Sequence, residues 1–241
     1  VRLGVKQFSR TRLRYHGGLG SGFEPIPSCV LRLVMERVIA HGITLTRSSN
    51  PWNDYGVLAK EIELLGKMGM DVVANIIYSV SPKHTNEYYV QKARELASLR
   101  PYRICFKDVS GLLTPERSRE MLQLVMANIG DIPLEFHAHC NNSLAPLNYV
   151  EALKLGVKTL HTAIPPLANG SSQPSIFNVA ANAEALGLTP RVDLEAVRPV
   201  EKHFTRVALQ ENFPIGAPRE YDYTQYPVSY THLTLPTSDQ V

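Results

Sequence analysis

Residues 134–140 read Leu-Glu-Phe-His-Ala-His-Cys, which places His137 and His139 two positions apart in a run with strand character. Strand residues i and i+2 face the same side, so the two imidazoles stand next to each other. Two neutral rings on one face either hydrogen-bond to backbone within a core or hold a single divalent cation of the zinc, manganese, cobalt or iron type. Their place at the end of the run favours the cation. Lys107, in Arg-Ile-Cys-Phe-Lys-Asp-Val (103–109), admits three chemistries. It could pair with Asp108, although adjacent strand residues face opposite sides. It could form a Schiff base. Desolvated and neutral, it could also add CO2 to give a carbamate, an anionic oxygen ligand beside two neutral rings. Ser171 and Ser172, in Asn-Gly-Ser-Ser-Gln-Pro-Ser (169–175), are helix caps by default, or hydroxyls that reach a substrate. Cys140 follows His139, should face the other way, and reads as a buried structural thiol.

These residues need a scaffold that brings strand ends together. Helical periodicity runs from Pro27 to Gly42, from the expected N-cap Asp54 onward, over 86–99, and from Thr114-Pro115-Glu116 to about Gly130. It returns over 143–156, 174–187 and 193–210. Between these stretches lie apolar runs with strand character at 43–47, 72–79, 103–109, 134–139 and 159–164, and a sixth is expected in the segment 5–15. Strands that alternate with helices predict a parallel sheet with βαβ crossovers. The repeat size predicts an α/β fold of the (β/α)8 TIM-type barrel class. A doubly wound sheet ranks second, because no glycine fingerprint follows any strand. A closed barrel needs eight strands, so an incomplete barrel is expected, whose first two or so strands precede Val1. In barrels of this kind the chemistry sits at the C-terminal strand ends, where Arg47, Asn50, Tyr78, Ser79, Lys107, His137 and His139 fall.

Composition narrows the function classes. With 241 residues, a formal net charge of +3 and no long basic block, nothing points to nucleic acid. No run of about 18 apolar residues predicts a membrane span. The three cysteines are widely spaced and odd in number, which suggests a reducing, cytoplasmic setting.

Three ordered segments, Phe-Lys-Asp-Val-Ser-Gly-Leu-Leu-Thr-Pro-Glu (106–116), Phe-His-Ala-His (136–139) and Thr-Ala-Ile-Pro-Pro-Leu-Ala-Asn-Gly-Ser-Ser-Gln-Pro-Ser (162–175), resemble the carboxyltransferase domain of pyruvate carboxylase, oxaloacetate decarboxylase and transcarboxylase. Residues 78–97 are similar to the stretch just upstream in that family, and the likeness covers roughly 40–226. The resemblance implies a (β/α)8 barrel that transfers a carboxyl group between carboxybiotin and pyruvate, or decarboxylates oxaloacetate in reverse. It implies that Lys107, as a carbamate, joins His137 and His139 in holding zinc, manganese or cobalt. It implies that Ser171 stands for the threonine hydroxyl that relays a proton, and that Arg14 holds the substrate carboxylate. Implied partners are a 2-oxo acid, a separate biotin carrier domain and further copies of the chain.

The segment also departs from the family pattern. The first-strand motif of the Asp-Thr-Thr-x-Arg-Asp-x-x-Gln type is missing, and Cys-Asn-Asn-Ser-Leu-Ala-Pro (140–146) stands where Asp-Thr-Ser-Gly or Ala-Thr-Ser-Gly is usual. Residues 1–226 therefore read as a partial barrel domain and 227–241 as a non-native tail. Two rival readings are a metal-dependent lyase or Claisen-type synthase of the hydroxymethylglutaryl-coenzyme A lyase group, and a fragment inactive alone.

Overall fold

A computed structural model of the chain describes residues 6, 8, 11–16 and 27–222. The proposed tail at 227–241 lies outside the described residues. The chain alternates β1 (Arg14–His16), α1 (Ser28–Ala40), β2 (Leu45–Ser48), α2 (Tyr55–Lys67), β3 (Asp71–Ile77), α3 (Asn86–Ser98), β4 (Arg103–Asp108), α4 (Pro115–Asn128), β5 (Leu134–Ala138), α5 (Ala145–Lys154) and β6 (Thr159–Leu160), followed by α6 (Ile176–Ala185) and α7 (Leu194–Gln210). The six strands follow one another across the sheet in chain order. The pairs β1–β2, β2–β3 and β5–β6 are parallel. A helix between successive parallel strands is the repeat of a (β/α)8 barrel, and six such strands are described.

Local chemistry sets the element ends. The Asp54 carboxylate accepts from Gly56 N to cap α2, and Asp193 accepts from Ala196 N to cap α7. Thr114 Oγ1 accepts from Arg117 N ahead of Pro115, the arrangement expected for α4. The cap of α6 is Ser175 itself, which accepts from Phe177 N, and not Ser171 or Ser172. The strand expected over 159–164 is shorter, at Thr159–Leu160. Beyond it the chain pairs instead with the segment that returns from the loop: Ala163 N donates to Pro174 O at 3.1 Å and Ile176 N to Ala163 O at 3.0 Å.

The chain divides into two compact units. One comprises the described residues up to Ile77, together with 90–105 and 127–134. Its core joins Met35 and Val38 of α1, Leu65 of α2, Val72 of β3, and Ile43 and Met70. Arg12 binds Asp71, the first residue of β3, at 2.6 Å. The side-chain amide of Asn53 donates to Ile77 O at 2.9 Å and accepts from Ile77 N at 2.8 Å, and so closes the end of β3 on itself.

The other unit comprises residues 78–89, 106–126 and, among the described residues, 135–222. Phe136 stacks on Phe106 with centroids 6.4 Å apart and meets Tyr149 of α5 at 5.3 Å. Even-numbered positions of β5 therefore face the helices, and Glu135, His137 and His139 face the opposite side. His139 N donates to Asp108 O, which places Ala138 opposite Asp108 and His137 opposite Lys107. Phe136 pairs with Leu160, so His161 lies opposite His137. Lys107, His137 and His161 thus occupy one row of neighbouring strands on one face.

Candidate active site

The strand ends of the second unit gather the polar residues. His137 is buried in β5, and His139 lies one residue beyond the last of that strand. Their ring centroids are 5.0 Å apart with planes at 57°. Each ring uses one nitrogen for support. His139 Nδ1 donates to the carbonyl oxygen of Ser171 at 2.5 Å, which leaves Nε2 of the neutral ring as a lone pair. His137 Nδ1 meets His161 Nδ1 at 3.0 Å. The two remaining Nε2 atoms converge on the side-chain amide of Gln173, at 3.4 Å from His137 and 3.2 Å from His139. An amide N–H shared by two imidazole nitrogens marks a point where two lone pairs meet. A divalent cation takes the same donor type, so the residues fit one.

The loop after β4 shapes the rim beside these rings. Asp108 is fully buried, and its carboxylate accepts from Leu112 N and Leu113 N at 2.9 Å each. It therefore turns away from the rings and folds its own loop, and burial pushes its carboxyl up to about 6. Gly111 has φ +66°, and a Cβ there would come within 2.9 Å of His139 O. Only glycine combines that backbone conformation with so close an approach. Cys140 is buried, and desolvation pushes its thiol up to about 12, the inert state of a structural cysteine. Its N–H donates to Ser172 O at 2.8 Å, which ties the end of β5 to the Asn-Gly-Ser-Ser loop. On the helix side, buried Tyr149 donates its hydroxyl to His161 O at 2.6 Å and accepts from Ala138 N at 3.1 Å. The far end of the loop is held by Gly216, whose N–H donates to Pro166 O at 2.7 Å. A Cβ on Gly216 would collide with Ala168 O.

The sequence-derived candidates are distributed as follows. His137 and His139 come together around one point. Lys107 is half-buried and shares the row of His137. Ser171 is exposed, and its carbonyl oxygen is the group that meets His139. Arg14 belongs to β1, in the other unit, where it pairs in register with Leu45.

Three residues that the sequence pattern did not single out bear on the site. Gln173 sits at the meeting point. His161 and Glu135 continue the contacts of His137 inward: His161 Nε2 lies 2.9 Å from Glu135 Oε2, and the carboxylate is fully buried. The alternation Glu135, His137, His139 on one face of an apolar strand was a signal for Glu135. None existed for His161, whose position depends on the β5–β6 register.

Comparison with known proteins agrees with this architecture. Residues 55–203 match the HMGL-like family. The chain is 30% identical over 186 residues to a pyruvate carboxylase subunit of Methanothermobacter thermautotrophicus, an alignment that covers 77% of this chain and 33% of that protein. It is 24% identical over 200 residues to the methylmalonyl-CoA carboxyltransferase 5S subunit of Propionibacterium freudenreichii, covering 83% and 40%. The carboxyl transferase domain of Rhizobium etli pyruvate carboxylase, solved with pyruvate, superposes with a TM-score of 0.78 at 21% identity, over 88% of this chain and 37% of that one. The chain thus spans about a third of the length of such relatives. With six parallel strands in order and a family match over most of its described length, the chain belongs to the HMGL-like family, with pyruvate carboxylase and transcarboxylase subunits among its relatives.

Proposed function

We propose that the chain carries the site of a metal-dependent carboxyl transfer between carboxybiotin, borne on a separate carrier domain, and a 2-oxo acid of the pyruvate/oxaloacetate kind. The observation that carries this reading is the convergence of His137 Nε2 and His139 Nε2 on one amide nitrogen, in the same row as Lys107. The relatives named for pyruvate and methylmalonyl-CoA carboxylation support it. So does one named 2-oxoglutarate carboxylase large subunit, from Hydrogenobacter thermophilus.

In this reading His137, His139 and carbamylated Lys107 hold a zinc, manganese or cobalt ion. When bound, the ion supplies a Lewis acid toward a 2-oxo carbonyl and the negative charge that develops on it. The protein's own residues do the rest. Ser171, on the exposed loop, would give its hydroxyl proton to the ureido nitrogen of biotin and take one from the substrate methyl group, whose carbon would receive the carboxyl group that leaves that nitrogen. Arg14 holds the substrate carboxylate. Cys140 and Asp108 take no part in the chemistry: one is a packed thiol, and the other folds the rim loop. The protein works in the cytoplasm as a homo-oligomer.

The test uses the full-length protein. Bound metal is measured by elemental analysis, and oxaloacetate decarboxylation is followed with and without free biotin. Bound divalent metal and a biotin-stimulated rate are expected; the absence of both removes the proposal. The HMGL-like match also keeps a lyase or Claisen-type synthase in view. Lys107→Ala separates the two. Carboxyl transfer predicts loss of both metal and activity, whereas the lyase reading predicts that both survive.

A further inference from the structure

Beneath the two candidate ligands lies a polar chain that the reaction itself does not use. Glu135 is fully buried, two positions before His137 on the same face of β5. Its Oε2 lies 2.9 Å from His161 Nε2, and His161 Nδ1 lies 3.0 Å from His137 Nδ1. A carboxylate accepts, so His161 Nε2 carries the hydrogen. A neutral His161 then presents a lone pair at Nδ1, and the hydrogen between the two rings belongs to His137 Nδ1. Neutral His137 is left with its lone pair at Nε2, the atom that faces Gln173. Each step permits only one tautomer at the next.

We infer that His161 and Glu135 are positioning residues that fix the Nδ1–H tautomer and the ring orientation of His137, and so set the affinity of the site for a divalent cation. The inference rests on the reading of His137 as a ligand. It assigns a role to the row partner of His137 and explains why a carboxylate is buried under the site. His139 has a different device for the same end, since its Nδ1 is fixed by the Ser171 carbonyl. One ligand is oriented by backbone and the other by a relay of two side chains. Support of this kind changes metal affinity by roughly 10–100-fold.

The experiment titrates metal-stripped full-length protein with Mn2+ by calorimetry at one fixed pH and compares substitutions that differ only in whether an acceptor remains. His161→Phe keeps a planar ring without an acceptor, and its dissociation constant should rise by roughly 10–100-fold. His161→Gln offers an amide oxygen to His137 Nδ1 and should regain most of the loss. Glu135→Gln keeps an acceptor and should bind close to the unsubstituted protein, whereas Glu135→Leu should bind as weakly as His161→Phe. The Glu135 pair carries the test should His161→Phe fail to fold. Affinity that follows the presence of an acceptor, and not the melting temperature, supports the relay. Unchanged affinity in His161→Phe, or equal loss in both members of each pair, overturns it. His137→Asn separates the levels. If it alone loses Mn2+, the relay is wrong and the site stands. If it binds Mn2+ normally, the reading of the site falls.

Discussion

Asn53, in the loop before α2, and His137, near the end of β5, are buried polar side chains in different units, and they treat their hydrogen bonds differently. Asn53 gives its amide N–H to Ile77 O and its amide oxygen to Ile77 N, so that contact is closed on backbone. His137 and His139 each engage one nitrogen with a supporting group and direct the other to a shared point. Closed pairing satisfies a strand end and stabilises it. Open pairing orients a lone pair, which is what a ligand requires. The contrast separates polar residues that hold the fold from polar residues that the fold holds.

The sharpest way to break the comparison is His139→Asn. If the open nitrogens are ligands, metal affinity should fall by roughly 100-fold or more, beyond what supporting residues give. Decarboxylation should be lost with it, while the melting temperature moves little. Elemental analysis together with a thermal melt reads both. Bound metal retained at the unsubstituted level would reduce His137 and His139 to the same class as Asn53.

Asp108 tests the closed class through pH. Its folded value of about 6 lies above the ordinary 3.8, because burial disfavours the charged form. A raised carboxyl favours the folded state most below about pH 4, and that contribution is lost as pH rises through about 6. The loss is on the order of 3 kcal/mol. Asp108→Asn removes the titration and keeps one acceptor for Leu112 N and Leu113 N. Denaturant melts between pH 4 and 7 should therefore show a shallower decline than in the unsubstituted protein. An identical decline in both proteins would mean that the group does not titrate in that window.

These differences also explain what the sequence made legible. Periodicity and caps such as Asp54 and Thr114 predicted the helices, because they depend on neighbours within a turn. The His137–His139 pairing was legible for the same reason, since a period of two is local. The strand at Arg14–His16 overlaps the segment 5–15, where one was expected, only at its last two residues. The shortened β6 was not foreseen, because it depends on a return of the chain from Pro174 to Ile176. His161, Gln173 and the role of the Ser171 carbonyl were hidden too. Each meets its partner across 24 or more residues, at a register that no local pattern encodes.

Asn53→Ala sharpens the other side. It leaves both the N–H and the carbonyl of Ile77 without their amide partner in a buried setting, at a cost of about 2 kcal/mol. Stability by urea denaturation should fall by that amount. The Mn2+ dissociation constant should stay within experimental error of the unsubstituted value. A tenfold weaker metal affinity would show that the closed pair also serves the ligands.

Tyr149→Phe is the smallest and the most discriminating change, because this hydroxyl is closed pairing placed beside an open site. It donates to His161 O and accepts from Ala138 N, the residue between His137 and His139. Phenylalanine keeps the ring and its packing on Phe136, 5.3 Å away, so only the two hydrogen bonds go. Their loss should cost about 1–2 kcal/mol. If support at this rim acts only through stability, metal affinity is unchanged once the protein is folded. If it also holds the His137–His161 contact in register, affinity falls slightly, by less than in His161→Phe. The expected result is the second, because the hydroxyl bridges the backbones that carry His161, His137 and His139, and a relaxed β5–β6 register lengthens the Nδ1 to Nδ1 contact. Mn2+ titration of the folded variant beside its urea melt separates the two outcomes.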